Sequence, residues 1–156
     1  MNHRSRTILA AVLTLLIVMP ALLHGQTIRV QVLGQNERTE YIRGIYNSGD
    51  YFVSTEELAE ALDVNTYTDE RLEKIVLYLD GRQVTFTAAN PFVKIDRDLY
   101  QLPVDAREYR SRIYVPIGEL APILDSRLAG SYSFDPDDHY LEVFPDRGFL
   151  KPDSSI

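Results

Sequence analysis

The residues best suited to catalysis or metal binding lie in one short stretch, Phe134–Tyr140, which reads FDPDDHY. Asp135, Asp137 and Asp138 offer carboxylate oxygens at a spacing that suits calcium, which takes about six to eight oxygen ligands. Asp and Pro also initiate turns, through side-chain hydrogen bonds and a restricted φ. The turn is the favoured interpretation, since YTDERLEK, an earlier stretch of the chain with which this one aligns, carries no such cluster.

A nucleophilic triad would need His139 beside Asp138 and a serine, and Ser131 and Ser133 lie close in the sequence. Such a serine is usually presented on a Gly-x-Ser-x-Gly elbow, which the chain lacks around both serines. The pattern therefore predicts no catalytic residue.

A histidine-rich metal site is also unsupported by the sequence. His3 and His24 lie within the first 25 residues, so only His139 belongs to the rest of the chain. Copper in oxidases is usually held by several imidazoles, and zinc amidases need two histidines and a carboxylate. The sequence therefore predicts no bound metal and no cofactor.

The remaining candidate site lies in the central segment, residues 90–112, which includes the stretch DAREYRSR at residues 105–112. Its candidate ligand-binding residues are Tyr100, Arg107, Tyr109 and Arg110. Tyrosine rings can stack on the apolar faces of sugars, and arginine forks suit carboxylates. The alternative is a solvated loop before a strand, with the tyrosines packed in the core or at its edge.

The N-terminus has the plan of a secretory signal peptide. Arg4 and Arg6 precede a sixteen-residue apolar run, Ile8–Leu23, and a plausible cleavage site follows Gly25. The run contains Pro20 and is shorter than the ~20 residues of a membrane-spanning helix. We expect an exported, periplasmic or extracellular protein with no membrane span after cleavage, the alternative being an uncleaved anchor.

The chain beyond residue 25 is acidic and free of cysteine, with 14 basic and 23 acidic residues. Such a surface repels nucleic acid and anionic lipid, because binding to phosphates depends on lysine and arginine. Without disulfides the domain must be stabilised by burial alone. Its size predicts one domain at residues 26–145, followed by a linker or tail at residues 146–156.

Alternating apolar residues predict an antiparallel sheet of about six to eight strands. Tyr51, Tyr78 and Tyr114 alternate onto the expected core face. Asp80–Gly81 predicts a hairpin, because both residues can adopt positive φ, and DRD at residues 96–98 predicts another. The expected strands lie at residues 27–33, 40–46, 74–79, 83–87, 92–95, 99–102, 113–115 and 140–144.

Two segments repeat one pattern, YFVSTEELAEALD at residues 51–63 and IYVPIGELAPILD at residues 113–125, with six identical positions. In the first, Ser54 and Glu57 form a capping box, which predicts a helix over Thr55–Leu62. In the second, Pro116 replaces the cap, and Pro122 predicts a shorter or kinked helix. Each unit is expected to be a strand, a helix and a hairpin, and the two units to share one core.

The fold class is therefore α+β, an antiparallel sheet packed on two short helices. The segments YFVSTEELAEAL, KIVLYLDGRQVTF, RIYVPIGELAPIL and YLEVF resemble the copper amine oxidase-like N-terminal domain, or stalk domain, over roughly Tyr41 to Phe144. Pro122 departs from the family pattern, as does Ser126, where the family usually closes the helix with Leu-Gly. The resemblance implies a twisted antiparallel sheet curled around a helix, without a catalytic role, often preceding cell-wall hydrolases such as N-acetylmuramoyl-L-alanine amidases.

The expected function is a noncatalytic cell-envelope module that binds peptidoglycan or an envelope protein, or that positions a cell-wall hydrolase. One alternative is a structural spacer. Another is the N-terminal fragment of an amidase, because Pro145 and Pro152 give the last residues the composition of a linker. The sequence leaves the oligomeric state open.

Overall fold

The computed structural model describes residues 25–34 and 36–145. The predicted signal peptide lies outside the described residues except for Gly25, and so does the predicted tail at residues 146–156.

Twelve strands and two α-helices lie in the described residues. The strands are β1 (Gly25–Val32), β2 (Arg38–Asn47), β3 (Asp50–Ser54), β4 (Thr66–Asp69), β5 (Lys74–Leu79), β6 (Arg82–Thr87), β7 (Phe92–Ile95), β8 (Asp98–Gln101), β9 (Arg107–Tyr109), β10 (Arg112–Pro116), β11 (Ser131–Asp135) and β12 (Tyr140–Phe144). The helices are α1 (Thr55–Leu62) and α2 (Ile117–Arg127), and Glu70–Leu72 forms a 3₁₀ turn.

The strands form a seven-stranded sheet, in the order β11-β12-β1-β2-β3-β10-β9, and a five-stranded sheet, in the order β4-β5-β6-β7-β8. In the described part of the chain β1 and β12 are parallel, with Arg29 opposite Tyr140 and Val32 opposite Val143, and the other pairs are antiparallel. The predicted α+β fold class is confirmed. The predicted number of strands is too low, and the strands form two sheets.

Alternation did not give ranges for four of the strands, β3, β4, β9 and β11, although the repeated unit predicted a strand before the first helix and a hairpin after each helix. Four of the five residues of β3 are buried, and β4 and β9 are mostly exposed, so these three strands lack alternation. In β11, by contrast, Tyr132 and Phe134 alternate with exposed residues. Tyr78 and Tyr114 also differ from prediction. The Tyr78 side chain is 42% exposed on the outer face of β5, and Tyr114, although only 8% exposed, lies on the face of β10 that points away from the core. Alternation identifies a strand only when one of its faces is buried and the other is wet.

Side chains from both sheets and both helices form one hydrophobic core. The first helix contributes Leu58 and the second contributes Leu120, which are 1% and 0% exposed. The same element order, a strand, a helix and a two-stranded hairpin, occurs in β3-α1-β4-β5 and in β10-α2-β11-β12. Both segments therefore bury their helix in the same core.

The first helix has the predicted bounds, but only the Ser54 half of the predicted capping box forms, because the Glu57 carboxylate accepts the Arg43 amide instead. Ser54 Oγ accepts a hydrogen bond from the Glu57 amide at 3.4 Å. The helix ends where Asp63 adopts a left-handed conformation, with φ of 54°. This conformation turns the chain out of the helix and leaves the last carbonyls accessible to amide donors.

The second helix is longer than the first, with 11 residues against 8, so the prediction of a shorter helix is wrong. Pro122 lies inside it, where it supplies no amide hydrogen. Asp125, the counterpart of Asp63, remains helical and accepts the Tyr132 amide at 2.9 Å. The Leu128 amide then bonds to the Leu124 carbonyl at 2.8 Å. The helix continues because no left-handed residue interrupts it here.

The N-terminus of α2 is capped by Asp50, a residue of β3. Pro116 makes no side-chain cap. Instead Asp50 Oδ1 accepts the Gly118 amide at 3.1 Å, and its Oδ2 accepts the Glu119 amide at 3.2 Å. A negative charge at this end also interacts favourably with the helix dipole. A Cβ atom at position 118 would lie 2.6 Å from Asp50 Oδ1, so the cap requires glycine there.

The turn between β5 and β6 connects the five-stranded sheet to the second helix and hairpin. Asp80 and Gly81 both have positive φ, 49° and 75°, which confirms the predicted hairpin. Asp80 Oδ2 accepts hydrogen bonds from the Gly130 amide at 3.1 Å and the Tyr132 hydroxyl at 2.8 Å. Burial, followed by the Asp80 charge, raises the pKa of Tyr132, so its hydroxyl stays protonated and donates.

Arg82 makes a second connection between the five-stranded sheet and the second helix. Its Nη1 donates to the Arg127 carbonyl at 2.9 Å, and its Nε lies 2.7 Å from Asp96 Oδ2. The hydrogen bond from the Gln83 amide, followed by that from Arg82, lowers the pKa of Asp96. Because the pKa of Asp96 is lowered in the folded state, its ion pair with Arg82 stabilises the fold at neutral pH. This stabilisation is lost as the pH falls through the lowered pKa.

We expect Asp50→Ala and Gly118→Ala each to lower the free energy of unfolding by about 1–2 kcal/mol, because each disrupts the cap. The double variant should lose less than the sum, since alanine at position 118 no longer meets a carboxylate. Urea titrations of the three variants measure this. Ser54→Ala removes the cap of α1, and Ser54 shares no hydrogen-bond partner with Gly118. Its loss of unfolding free energy should therefore add to the loss caused by Gly118→Ala. Additive losses for Asp50 and Gly118 would contradict the cap.

Leu58→Ala and Leu120→Ala should each cost about 2–5 kcal/mol, the usual range for a buried leucine truncation. Both should lower the same cooperative thermal transition, because both side chains lie in one core. Calorimetry measures this, with exposed Leu72→Ala as a control expected to change stability by less than about 0.5 kcal/mol. Two separate melting steps would show that the helices do not share a core.

Candidate functional site

The structure brings three of the four predicted ligand-binding residues together. Arg107 and Tyr109 lie on β9, opposite Tyr114 and Arg112 of β10, so their side chains share one face of the sheet. Arg110 lies in the turn between these strands. The alternative of a loop over residues 105–112 is wrong for residues 107–112, which form the outermost hairpin of the seven-stranded sheet, although most of their side chains are exposed to solvent.

Tyr100 lies apart from the other three residues. It belongs to β8, in the five-stranded sheet, and the Arg127 guanidinium lies 4.8 Å from the centre of its ring. Tyr100 is half-buried and packs against the hydrophobic core. The structure places it among packing residues rather than beside Arg107, Tyr109 and Arg110.

Arg107, Tyr109 and Arg110 line a cavity of about 650 Å³ on the face of the seven-stranded sheet opposite the core. We call it the arginine pocket. Its lining residues are Gly25, Arg43, Ile45, Asn47, Phe52, Glu57, Arg107, Glu108, Tyr109, Arg110, Arg112 and Tyr114.

Strand register explains how distant residues reach this face. Ile45 of β2 lies opposite Phe52 of β3, and Phe52 lies opposite Pro116 of β10. Neighbours in register point to the same side of a sheet, and alternate residues point to the other. Gly44, Val53 and Val115 therefore face the core, and their neighbours in sequence face the arginine pocket.

Aromatic rings hold two of the arginines. The Arg107 guanidinium lies 4.7 Å from the centre of the buried Phe52 ring, and its Nη2 donates to Ser48 Oγ at 3.2 Å. The Arg110 guanidinium lies 5.1 Å from the centre of the Tyr109 ring. Cation–π contacts of this kind restrict the guanidinium groups without neutralising their charge.

The Glu57 carboxylate is bound by other groups of the arginine pocket. Its Oε1 lies 3.2 Å from Arg112 Nη1, and its Oε2 accepts the Arg43 amide at 2.9 Å. Arg43 pairs with Thr27 of β1 but has no partner on β3, because the chain leaves β3 for α1 after Ser54. With Glu57 paired to Arg112, the pocket retains Arg43, Arg107 and Arg110 as cations against the exposed carboxylate of Glu108.

The turn at the edge of the arginine pocket has an unusual backbone. Arg110 and Ser111 both have positive φ, 51° and 59°. Two-residue hairpins with positive φ at both positions strongly favour glycine or asparagine, as Asp80–Gly81 illustrates within this chain. Strained residues of this kind concentrate at ligand sites, where the backbone aims a side chain. Here the strained turn carries the Arg110 guanidinium.

Ser111→Gly should raise the free energy of unfolding by about 0.5–1 kcal/mol, because glycine adopts positive φ without steric cost. Ser133→Gly is the matched control, since Ser133 is an exposed residue of the extended strand β11. Glycine there should lower stability by about 0.5–1 kcal/mol. Thermal melts of both variants provide the measurement, and a loss at Ser111 would contradict the strain.

The acidic stretch near β12 forms a turn, as the sequence favoured. Asp135 Oδ1 accepts the Asp137 amide at 2.9 Å and the Asp138 amide at 3.2 Å. Within residues 25–34 and 36–145, no three His, Asp or Glu side chains are grouped so that they could hold a metal ion. His139 Nε2 lies 2.7 Å from the Tyr51 hydroxyl, so its imidazole is engaged by a tyrosine.

Sequence reasoning missed Arg43 and Glu57 as members of the site. Glu57 was assigned to the capping box, and Arg43 lies 64 residues before Arg107. A possible signal was the alternation of Arg43 and Ile45 along β2, which places both on the face away from the core. Pairing β2 with β3 and β10 was also needed, and local sequence does not give that register.

Residues 32–129, more than half of the chain, match the copper amine oxidase N-terminal domain. The chain belongs to this family. In copper amine oxidases the N-terminal domain is non-catalytic. The match ends before β11 and β12, although β12 lies between β11 and β1 in the sheet.

No curated protein and no solved structure matches this chain. In the part of the chain that the structure describes, neither helix is long and apolar enough to cross a membrane.

Proposed function

We propose that this protein is an exported, noncatalytic module of the cell envelope that binds wall polymer through the arginine pocket. The observation that carries the proposal is the gathering of four arginines and two tyrosines in one cavity of a chain with a net charge of −7. The family supports a noncatalytic, stalk-like role. The predicted signal peptide supplies the route of export.

The charge of the arginine pocket suits a ligand that carries carboxylates. Arg107 and Arg110 are oriented by rings, so binding a ligand requires little further ordering of their side chains. Arginine forks bind carboxylates through paired N–H donors. Because the rest of the surface is acidic, a polyanion would be attracted to this cavity rather than to the molecule as a whole.

The aromatic residues of the arginine pocket suit sugar rings. Tyr109 is 45% exposed, and its ring packs edge-on against Tyr114, with ring centres 6.1 Å apart. A ring supported in this way presents an apolar surface whose hydroxyl remains in water. Peptidoglycan carries both features, since its sugar strands bear peptides that contain carboxylates.

Wild-type protein should sediment with insoluble peptidoglycan at moderate salt. Arg110→Ala and Tyr109→Ala should weaken binding by about tenfold or more, the effect of losing a hydrogen bond to a charged group or a stacked ring. Both melting temperatures should stay close to wild type, because both side chains are exposed. Tyr41→Ala, which removes a ring that is 67% exposed outside the pocket, is the matched control and should bind normally.

Peptidoglycan whose carboxylates have been converted to amides tests the ligand chemistry in the same assay. Binding to this material should fall at least as far as it falls for Arg110→Ala, because amidation removes the carboxylates that Arg43, Arg107 and Arg110 could all bind. Wild-type protein that stays in the supernatant would refute wall binding and leave the spacer or partner-docking role. Equal sedimentation of wild type and both variants would place binding on another face.

A further inference from the structure

The outermost strand of the seven-stranded sheet, β9, has an edge that no other strand of the described chain covers. The sheet ends at β9, which pairs with β10 on its inner side. Residues 103–108 contribute to a second cavity, of about 670 Å³. Arg107 and Glu108 line both this cavity and the arginine pocket. The two cavities therefore meet at β9.

The register of β9 and β10 points the backbone groups of Glu108 away from the sheet. Glu108 lies opposite Ile113 of β10. The Ile113 carbonyl accepts a hydrogen bond from Thr55 Oγ1 at 3.0 Å, on the side of β10 that faces β3 and α1. Opposite residues of an antiparallel pair exchange two hydrogen bonds or none, so Glu108 and Ile113 exchange none. The Glu108 amide and carbonyl therefore both point towards the outer edge.

The open part of this edge is short. On one side of Glu108, the Ala106 amide donates to the Asn90 carbonyl at 3.1 Å, and the Ala106 carbonyl accepts the Ala89 amide at 2.9 Å. On the other side the chain enters the turn at residues 110–111. About three residues of an extended chain fit beside this part of β9, and one of them can exchange two hydrogen bonds with Glu108.

The other edge strands of the two sheets offer a peptide less. The Tyr132 amide of β11 donates to Asp125 Oδ1 at 2.9 Å, so α2 already occupies that edge. The edge strands of the five-stranded sheet, β4 and β8, contain neither arginine nor lysine. Among these edges, β9 combines outward backbone groups with arginine side chains.

We propose that a short peptide of the wall polymer binds in extended form along the edge of β9 and exchanges two hydrogen bonds with the Glu108 backbone. This inference rests on the proposed wall binding and names the part of the polymer that the site recognises. Addition of a strand to a sheet edge is a common mode of peptide recognition, in which main-chain hydrogen bonds supply affinity. A glycan strand lacks the main-chain amides that would pair with Glu108.

The pleat of the added strand would direct its carboxylates into the arginine pocket. The ligand residue paired with Glu108 points to the same face of the sheet as Ile113. Its two neighbours point to the opposite face, which carries Arg107 and Tyr109. A carboxylate on either neighbour then meets the Arg107 guanidinium or that of Arg110 in the adjoining turn. The site therefore suits a peptide with carboxylates on either side of the paired residue.

Charge opposes a second copy of the chain as the occupant of this edge. Pairing two β9 edges would bring the Arg107 and Arg110 side chains of both copies close together. Like charges placed in this way destabilise a contact. A peptide that carries carboxylates meets the opposite condition.

Glu108→Pro tests the main-chain hydrogen bond, because proline lacks the amide hydrogen and is tolerated on an edge strand whose amide points to solvent. The probe is a soluble disaccharide peptide that a muramidase releases from peptidoglycan, titrated by calorimetry. Glu108→Ala is the matched control, since it keeps the amide. It should bind at least as tightly as wild type, because it removes a carboxylate that repels an anionic ligand. Glu108→Pro should bind about tenfold more weakly than Glu108→Ala.

Amide hydrogen exchange on the wild-type protein provides a second measurement, which does not depend on the folding of a variant. The Glu108 amide should exchange at least about tenfold more slowly when the disaccharide peptide saturates the protein, because the added strand then accepts its hydrogen. The amides of β4, an edge strand of the other sheet, should exchange at the same rate with and without the ligand. Glycan strands stripped of their peptides should neither bind nor slow exchange at Glu108.

Equal affinities of Glu108→Pro and Glu108→Ala, or a Glu108 amide that the ligand does not protect, would overturn strand addition and leave wall binding by the arginine pocket in place. The same conclusion would follow if stripped glycan bound as tightly as the disaccharide peptide, or if wild type sedimented with peptidoglycan but did not bind that peptide. Protection of Glu108 that rises with protein concentration, without ligand, would assign the edge to a second copy. Wild-type protein that fails to sediment would refute the proposed function and this inference together.

Discussion

The two hydrogen bonds that Asp50 accepts from the first turn of α2 hold β3 against the helix that follows β10. Asp50 lies on β3 and is 9% exposed. The helix that it caps follows β10 without an intervening loop. Because β10 pairs with β3 on one side and with β9 on the other, the cap sets the position of the hairpin that carries the arginine pocket. A substitution of Asp50 would therefore alter the structure of the arginine pocket as well as that of the core.

Local signals in the sequence predicted local structure well. Ser54 and Glu57 gave the bounds of the first helix, and Asp80–Gly81 gave a hairpin with both φ values positive. These features depend on residues within four positions of each other. The second helix shows the limit, because its cap comes from Asp50, a residue 68 positions before Gly118.

The candidate site was predicted in part for the same reason. Arg107, Tyr109 and Arg110 are neighbours in sequence and lie in one pocket, whereas Tyr100 belongs to the other sheet. Arg43 and Glu57 belong to the site only through strand register and through the Arg43 amide, which lies beyond the paired part of β3 and donates to Glu57. The strained turn at Arg110–Ser111 could not be predicted from the sequence either, because neither residue type usually forms a turn at positive φ.

The parallel pairing of β1 with β12 has a mechanical consequence. Gly25 begins β1, while β12 ends beside the opposite end of that strand, so the first and last strands run side by side in the same direction. About seven residue steps, or roughly 23 Å, separate Gly25 from Val32. Tension applied between Gly25 and Phe144 would therefore pull the two strands past each other along their length. Their interstrand hydrogen bonds would share this load instead of opening one at a time, an arrangement that resists extension.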